Sequence, residues 1–274
     1  MARLVGGFCV PHDPLILGNA DAPPREQAAR VMQAFAQVRA RIATLRADTA
    51  IVIGDDHCTM FGPGCVPAIL IGTGDLEGPI EPWLGIPRRA VNNHPPLAQH
   101  LVEAGFEAGF DWTVSRSLAL DHSTMVPIHL ALPVGTRVIP VYINSGGDPL
   151  IPGRRCLELG RMLGAAIASW PGDERVVMIG TGGISHWVGM SDMGRVNEAF
   201  DRRILGMVEA RDLDGLARLS AEEIVATAGN GALEVRNWIV AMAAMPPYNA
   251  RVLAYEPVPE WITGLGFAEL EVAP

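Results

Sequence analysis

Seven histidines occur among 274 residues, and four of them share a setting. His12 follows an apolar run at residues 4–10, and His57 follows another at 50–53, inside GDDHCTMF. His122 follows a less uniform run at 112–118, inside LALDHSTMVP, and His186 follows residues 176–179, inside GTGGISHW. Imidazole ligates iron, zinc, copper and nickel, and it moves protons near neutral pH. Two histidines and one carboxylate on one side of a ferrous ion make a facial triad that leaves positions open for substrate and dioxygen. Glu234, in GNGALEVRNW, is a candidate for that carboxylate, because Ala232, Leu233 and Val235 are poor company for a solvated acid. A plainer account is that a helix start favours an acid there. Asp13, Asp55, Asp56 and Asp121 are further acids near the histidines, and residue type alone does not choose among them.

A single histidine after a strand is most often a solvated or capping loop residue; four repetitions argue against that for the set. The other three read as ordinary: His94 before Pro95-Pro96 in a turn, His100 on a helix face, His129 in a packed core. Cys9, Cys58, Cys65 and Cys156 form no C-x-x-C pair, which excludes a zinc ribbon or a dithiol redox motif. Cys9 and Cys58 lie near histidines of interest but are expected to be reduced thiols.

The elements that must position these side chains are short, Val- and Ile-rich runs closed by turn residues, which read as buried strands: residues 4–10, 50–53, 66–71, 112–118, 138–143 and 176–179. Between them lie helical spacings. Residues 26–45 carry Ala29, Met32, Phe35, Val38 and Ile42 on one period; 97–108 and 154–170 follow, the latter stopped by Pro171-Gly172. Ser220 and Glu223 form a capping box, and residues 232–245 end at Pro246-Pro247. Strands alternating with helices predict an α/β fold: one domain over residues 1–274, a mostly parallel or mixed central sheet flanked by helices, and a site at the carboxyl edge of the strands.

Composition narrows the function. Charged residues are 19% and hydrophobic ones 49%, so disorder is not expected. The net charge of −9 and the lack of a basic run exclude a nucleic-acid partner. Mean hydropathy is +0.22, yet no run of 18 apolar residues occurs, so no membrane span is expected. The N-terminal stretch lacks the layout of a signal peptide, and a cytoplasmic protein is expected.

Six motifs carry a resemblance to a known family. They are DHCTMF at 56–61, LDHSTMVP at 120–127, RVIPV at 137–141, GTGGISH at 180–186, EVRNW at 234–238 and PEWITGLGF at 259–267. In this order the chain resembles the class III extradiol ring-cleavage dioxygenases, from His12 nearly to its end. The resemblance implies an Fe(II) enzyme that opens the ring of a vicinal aromatic diol, such as a catechol, a protocatechuate-like acid or a dihydroxypyridine, with O2. Both oxygen atoms enter the product, a ring-opened semialdehyde. It implies His12, His57 and Glu234 as ligands of Fe(II), and His122 and His186 as catalytic histidines that bind no metal. We expect His186 to act as the acid/base and His122 to donate a hydrogen bond to the oxygen-derived group. The chain is short for the family, and a homo-oligomer is expected, or else a small separate alpha-type subunit covering the site. The rival readings are a zinc hydrolase, which the absence of H-E-x-x-H disfavours, and a non-catalytic binding member of the same superfamily, which the five filled positions disfavour.

Overall fold

A computed structural model describes residues 1–273. In chain order the elements are β1 (Arg3–Val10), α1 (Leu15–Gly18), α2 (Arg25–Thr44), β2 (Thr49–Gly54), β3 (Ile69–Gly78), β4 (Arg89–Val91), α3 (Pro95–Glu107), β5 (Thr113–Ala119), α4 (His122–Leu130), β6 (Arg137–Ile143), α5 (Gly153–Ser169) and β7 (Arg175–Thr181). Then come α6 (Glu198–Glu209), α7 (Leu213–Arg218), α8 (Ala221–Ala228), α9 (Val235–Ala244), β8 (Tyr248–Val258) and β9 (Thr263–Val272). The nine strands form one mixed sheet in the order β4-β3-β6-β2-β7-β1-β9-β8, with β5 added beside β3. The core β6-β2-β7-β1 is parallel, while β3 and β9 flank it antiparallel.

Side-chain alternation in the parallel strands splits the core into two layers. Ile51, Ile53, Ile139, Val141, Val176 and Met178 point to the face covered by α3, α5 and α9. Ala50, Val52, Val138, Val177 and Ile179 point to the face covered by α2 and α4. Each buried Val or Ile stabilises the fold by about 1.5–3 kcal/mol relative to exposure. The stripe of α2 that faces the sheet is Val31, Ala34, Phe35, Val38 and Ile42. Met32 and Ala29, expected on that stripe, are exposed.

Helix α9 is buried over its whole length, wedged between the sheet and α5. Close backbone approach makes this possible. A Cβ at Gly180 of β7 would sit 2.9 Å from Ala241 Cβ, and one at Gly160 of α5 would overlap the Val240 carbonyl. The capping box at α8 forms as expected, with the Ser220 side chain accepting from the Glu223 amide.

Several expectations need correction. The strand expected at 66–71 starts later and runs to Gly78. The hairpin β8–β9 and helices α6 and α7 fall where no element was expected. His94 is not a plain turn residue but the N-cap of α3; its Nδ1 accepts from Leu97 N, and its Nε2 lies 2.9 Å from Glu174. His129 is exposed rather than packed in the core. His100 does lie on a helix, hydrogen-bonded to the Ala166 carbonyl.

Candidate active site

Strands β1, β2 and β7 run parallel and adjacent, so their carboxyl ends deliver His12, His57 and His186 to one edge of the sheet. His122 arrives by another route. β5 pairs parallel with β3, which runs antiparallel to β6, so β5 has the opposite sense to the central strands. His122 is also not a loop residue: it opens α4, capped by Asp121. The first turn of α4 lies against Gly54 at the end of β2, where a Cβ would meet Ser123 Oγ at 2.7 Å. Glu234 ends a 3-10 turn (Gly231–Glu234) that leads directly into α9.

All four imidazoles are anchored through Nδ1. His12 Nδ1 lies 2.9 Å from Thr181 Oγ1, and the Thr181 hydroxyl gives its one proton to the Ile53 carbonyl at 2.9 Å. The hydroxyl must therefore accept from His12 Nδ1–H, which leaves Nε2 as a bare lone pair. His57 Nδ1 faces Asp121 Oδ2 at 3.1 Å, His122 Nδ1 faces Glu81 Oε1 at 2.5 Å, and His186 Nδ1 faces the Ile184 carbonyl at 3.3 Å. Three of the Nε2 atoms converge on Glu234: His12 at 3.2 Å, His57 at 3.4 Å and His186 at 3.5 Å. Glu234 Oε2 in turn accepts from the Gly183 amide at 2.7 Å.

Electrostatics follow from these contacts. Burial alone would raise the Glu234 carboxyl, but the imidazoles of His12 and His186 hold it well below the usual carboxylate range. Asp121 is also buried, yet its bond to His57 and the nearby His122 hold it at about 2. Burial works against a charged His57, but Asp55, Asp121 and Glu234 raise it well above the ordinary imidazole range. Desolvation, with His57 close by, lowers His122. Burial pushes Asp55 up to about 6.

Ligand-type atoms of His12, Asp55, His57 and Glu234 all lie within 4.8 Å of one another. His12 Nε2 is buried and makes no hydrogen bond, although Glu234 is near; an inward lone pair with no proton donor suits a cation. The donor set of neutral imidazole and carboxylate suits iron or zinc. Asp55, whose Oδ1 accepts from Asn237 at 2.8 Å, joins the cluster. Asp56 instead closes its own loop by accepting from the amides of Thr59, Met60 and Phe61. Asp13 accepts from Leu15 N and Thr263 Oγ1. Cys9 is buried in the core and Cys58 is exposed; neither joins the cluster.

The glycines of GTGGISHW make room for this arrangement. Gly182 has φ 141°, a conformation suited to glycine, and a Cβ there would press on Glu234 Cβ at 2.7 Å. A Cβ at Gly231 would overlap the His186 ring itself. The imidazole is held by close backbone on two sides, and Trp187 is buried beside it. A cavity of about 280 Å³ opens over the cluster, lined by His12, His57, His122, His186 and Glu234 among others. Ile262, at its edge, takes a left-handed backbone with φ 55°, rare for a β-branched residue.

Residues 6–266 match the family described as the catalytic LigB subunit of aromatic ring-opening dioxygenase. The chain belongs to this family. Curated relatives match it over nearly the whole of both chains. A 2,3-dihydroxyphenylpropionate/2,3-dihydroxicinnamic acid 1,2-dioxygenase of Mycolicibacterium paratuberculosis is 27% identical, with 93% of this chain and 95% of that one covered. One of Pseudomonas putida is 29% identical over 94% and 96%. A crystal structure of an uncharacterized Escherichia coli K12 protein aligns with TM-score 0.59 over 99% of this chain and all of the other; at 13% identity it speaks for the fold alone. As a member of the ring-opening dioxygenase family the chain is an oxygenase. No helix among the described residues is long and apolar enough to cross a membrane.

Two partners of the histidines had no signal in the sequence. Glu81 sits in a Pro-rich stretch well past the apolar run at 66–71, and nothing in its spacing pointed to His122. Thr181 was visible only as a polar residue ending a buried strand.

Proposed function

We propose that this chain is an Fe(II)-dependent extradiol dioxygenase that opens the ring of a vicinal aromatic diol. Family membership supports the reaction class, and one geometric observation carries the metal assignment: His12, His57 and Glu234, from three distant segments, turn ligand-type atoms toward one point, with the His12 lone pair fixed inward by Thr181. In this reading those three residues hold the ion and Asp55 stands beside it. A bound ferrous ion would supply a common centre for the diol and dioxygen, which lowers the barrier to their otherwise slow reaction.

The chain's own residues supply position and protons. His186 Nε2 faces the cavity beside Glu234 and is the group we assign to accept a diol proton and later return it. Burial works against a charged His186, but the Glu234 and Asp13 charges raise its pKa. His122, turned by Glu81, presents Nε2 as an acceptor or, once protonated, as a donor to the oxygen-derived group. The apolar walls keep bulk water from the opening ring.

Anaerobic loading with Fe(II), followed by oxygen uptake against a panel of vicinal diols, tests the proposal. One O2 consumed per ring opened, with a yellow semialdehyde product, is the expected result. Zinc-supported hydrolysis indifferent to oxygen would replace this reading with a hydrolase.

A further inference from the structure

Apart from the histidines already assigned to the metal and to proton transfer, the cavity offers no cationic side chain to an anionic substituent. Around the histidines and Glu234, its walls are Pro14, Leu15, Trp83, Val188 and Ile262, with two further acids, Asp13 and Glu81. The chain contains no lysine; all 21 of its basic residues are arginine, and none lines the cavity. Two arginines near the site in sequence are committed elsewhere. Arg236, two residues beyond Glu234, is buried and donates to the Ile151 and Leu233 carbonyls. Arg195 pairs with Asp192 and lies over the Trp187 ring at 4.9 Å.

Most neutral donors of the lining are committed as well, the Trp83 indole N–H excepted. The Gly183 amide goes to Glu234, the Leu15 amide to Asp13, and the Val188 amide to Asn230. The Thr263 hydroxyl goes to Asp13 and the Thr59 hydroxyl to Asp56. Two carboxylates, Glu234 and Asp55, already stand beside the proposed ion and match its two charges. A carboxylate on the substrate would leave water for a wall with no counter-charge, near Asp13 and Glu81. The chain's net charge of −9 adds a long-range field that repels anions on approach.

We infer that the substrate is a vicinal diol whose remaining substituent is neutral and apolar, and that the site discriminates against carboxylate-bearing diols. The relatives above are named for acids; this chain departs from them at the substituent. The inference rests on the extradiol reading of the site.

The test compares acids with their own methyl esters, so that charge is the main difference. The pairs are 3-(2,3-dihydroxyphenyl)propionate and 3,4-dihydroxybenzoate, each against its ester. With the full-length Fe(II)-loaded protein, dissociation constants are measured anaerobically by calorimetry, and kcat/KM is measured in air. At least one ester is expected to bind tenfold or more tightly than its acid and to show the larger kcat/KM. Val188→Arg, at an exposed wall position outside the catalytic set, should narrow that gap by improving the acid relative to the ester. Acids equal to or better than their esters overturn the inference and leave the extradiol reading intact. A gap unchanged in Val188→Arg overturns its electrostatic cause. Iron bound, but no diol of either kind bound or opened, overturns the extradiol reading itself.

Discussion

Thr181 fixes the tautomer of His12. Its hydroxyl is 2.9 Å from His12 Nδ1 and 2.9 Å from the Ile53 carbonyl, and with one proton to give it can only accept from the imidazole. The bond spans 169 positions in sequence and joins the end of β7 to the residues beyond β1. Thr181→Val keeps the shape but removes the acceptor. We expect Fe(II) affinity to fall about 10–100-fold, while Thr181→Ser stays close to the parent. Anaerobic competition with a chelator reads the difference; equal affinities for Val and parent would remove the tautomer argument.

His186 is assigned to proton transfer and not to the metal. His186→Ala should leave the Fe(II) stoichiometry unchanged and lower kcat about 10²–10⁴-fold. Loss of iron together with activity would move His186 into the ligand set, and full activity would end the acid/base assignment.

Glu81 acts through His122. Its Oε1 receives the Nδ1 proton at 2.5 Å, so Glu81→Leu releases the ring from its orientation. The expected result is an iron-replete protein with kcat down about 10²-fold, the cost of misplacing a group by around an ångström. Rescue by Glu81→Gln, which can still accept, separates orientation from packing.

The α5–α9 contact supports Glu234 from behind, because α9 begins directly after that residue. A methyl group at Gly160 would meet the Val240 carbonyl. Gly160→Ala should therefore destabilise the fold by about 1–3 kcal/mol, lowering Tm by several degrees. Thermal unfolding of the two proteins measures it, and an unchanged Tm would show that the two helices have slack.

Much of the central sheet was legible because its strands are buried on both faces. Val176–Ile179 and Ala50–Ile53 read as unbroken apolar runs, and three of the four site histidines follow such strands at one edge. Glu234 was legible as an acid among apolar neighbours. The antiparallel edge was not. β9, in TGLGFAELEV, carries glycines and a buried Glu269 that pairs with Arg41 and Arg251, so its core-facing pattern is masked by an ion pair formed across the fold. His122 was placed correctly at the site for a partly wrong reason: β5 runs against the central strands, and the capped start of α4 brings the ring in. Contacts such as Glu81–His122 and Asp121–His57 join segments 41 and 64 positions apart, and no local spacing encodes them.

The most direct test of the account is anaerobic Fe(II) titration of the parent beside His12→Ala, His57→Ala and Glu234→Gln, with His100→Ala as a remote control. One tight Fe(II) per chain is expected in the parent and the control, with binding weakened at least 100-fold in each of the other three while their circular dichroism is unchanged. Parent-like affinity in folded Glu234→Gln would contradict the claim that these three residues hold one ion.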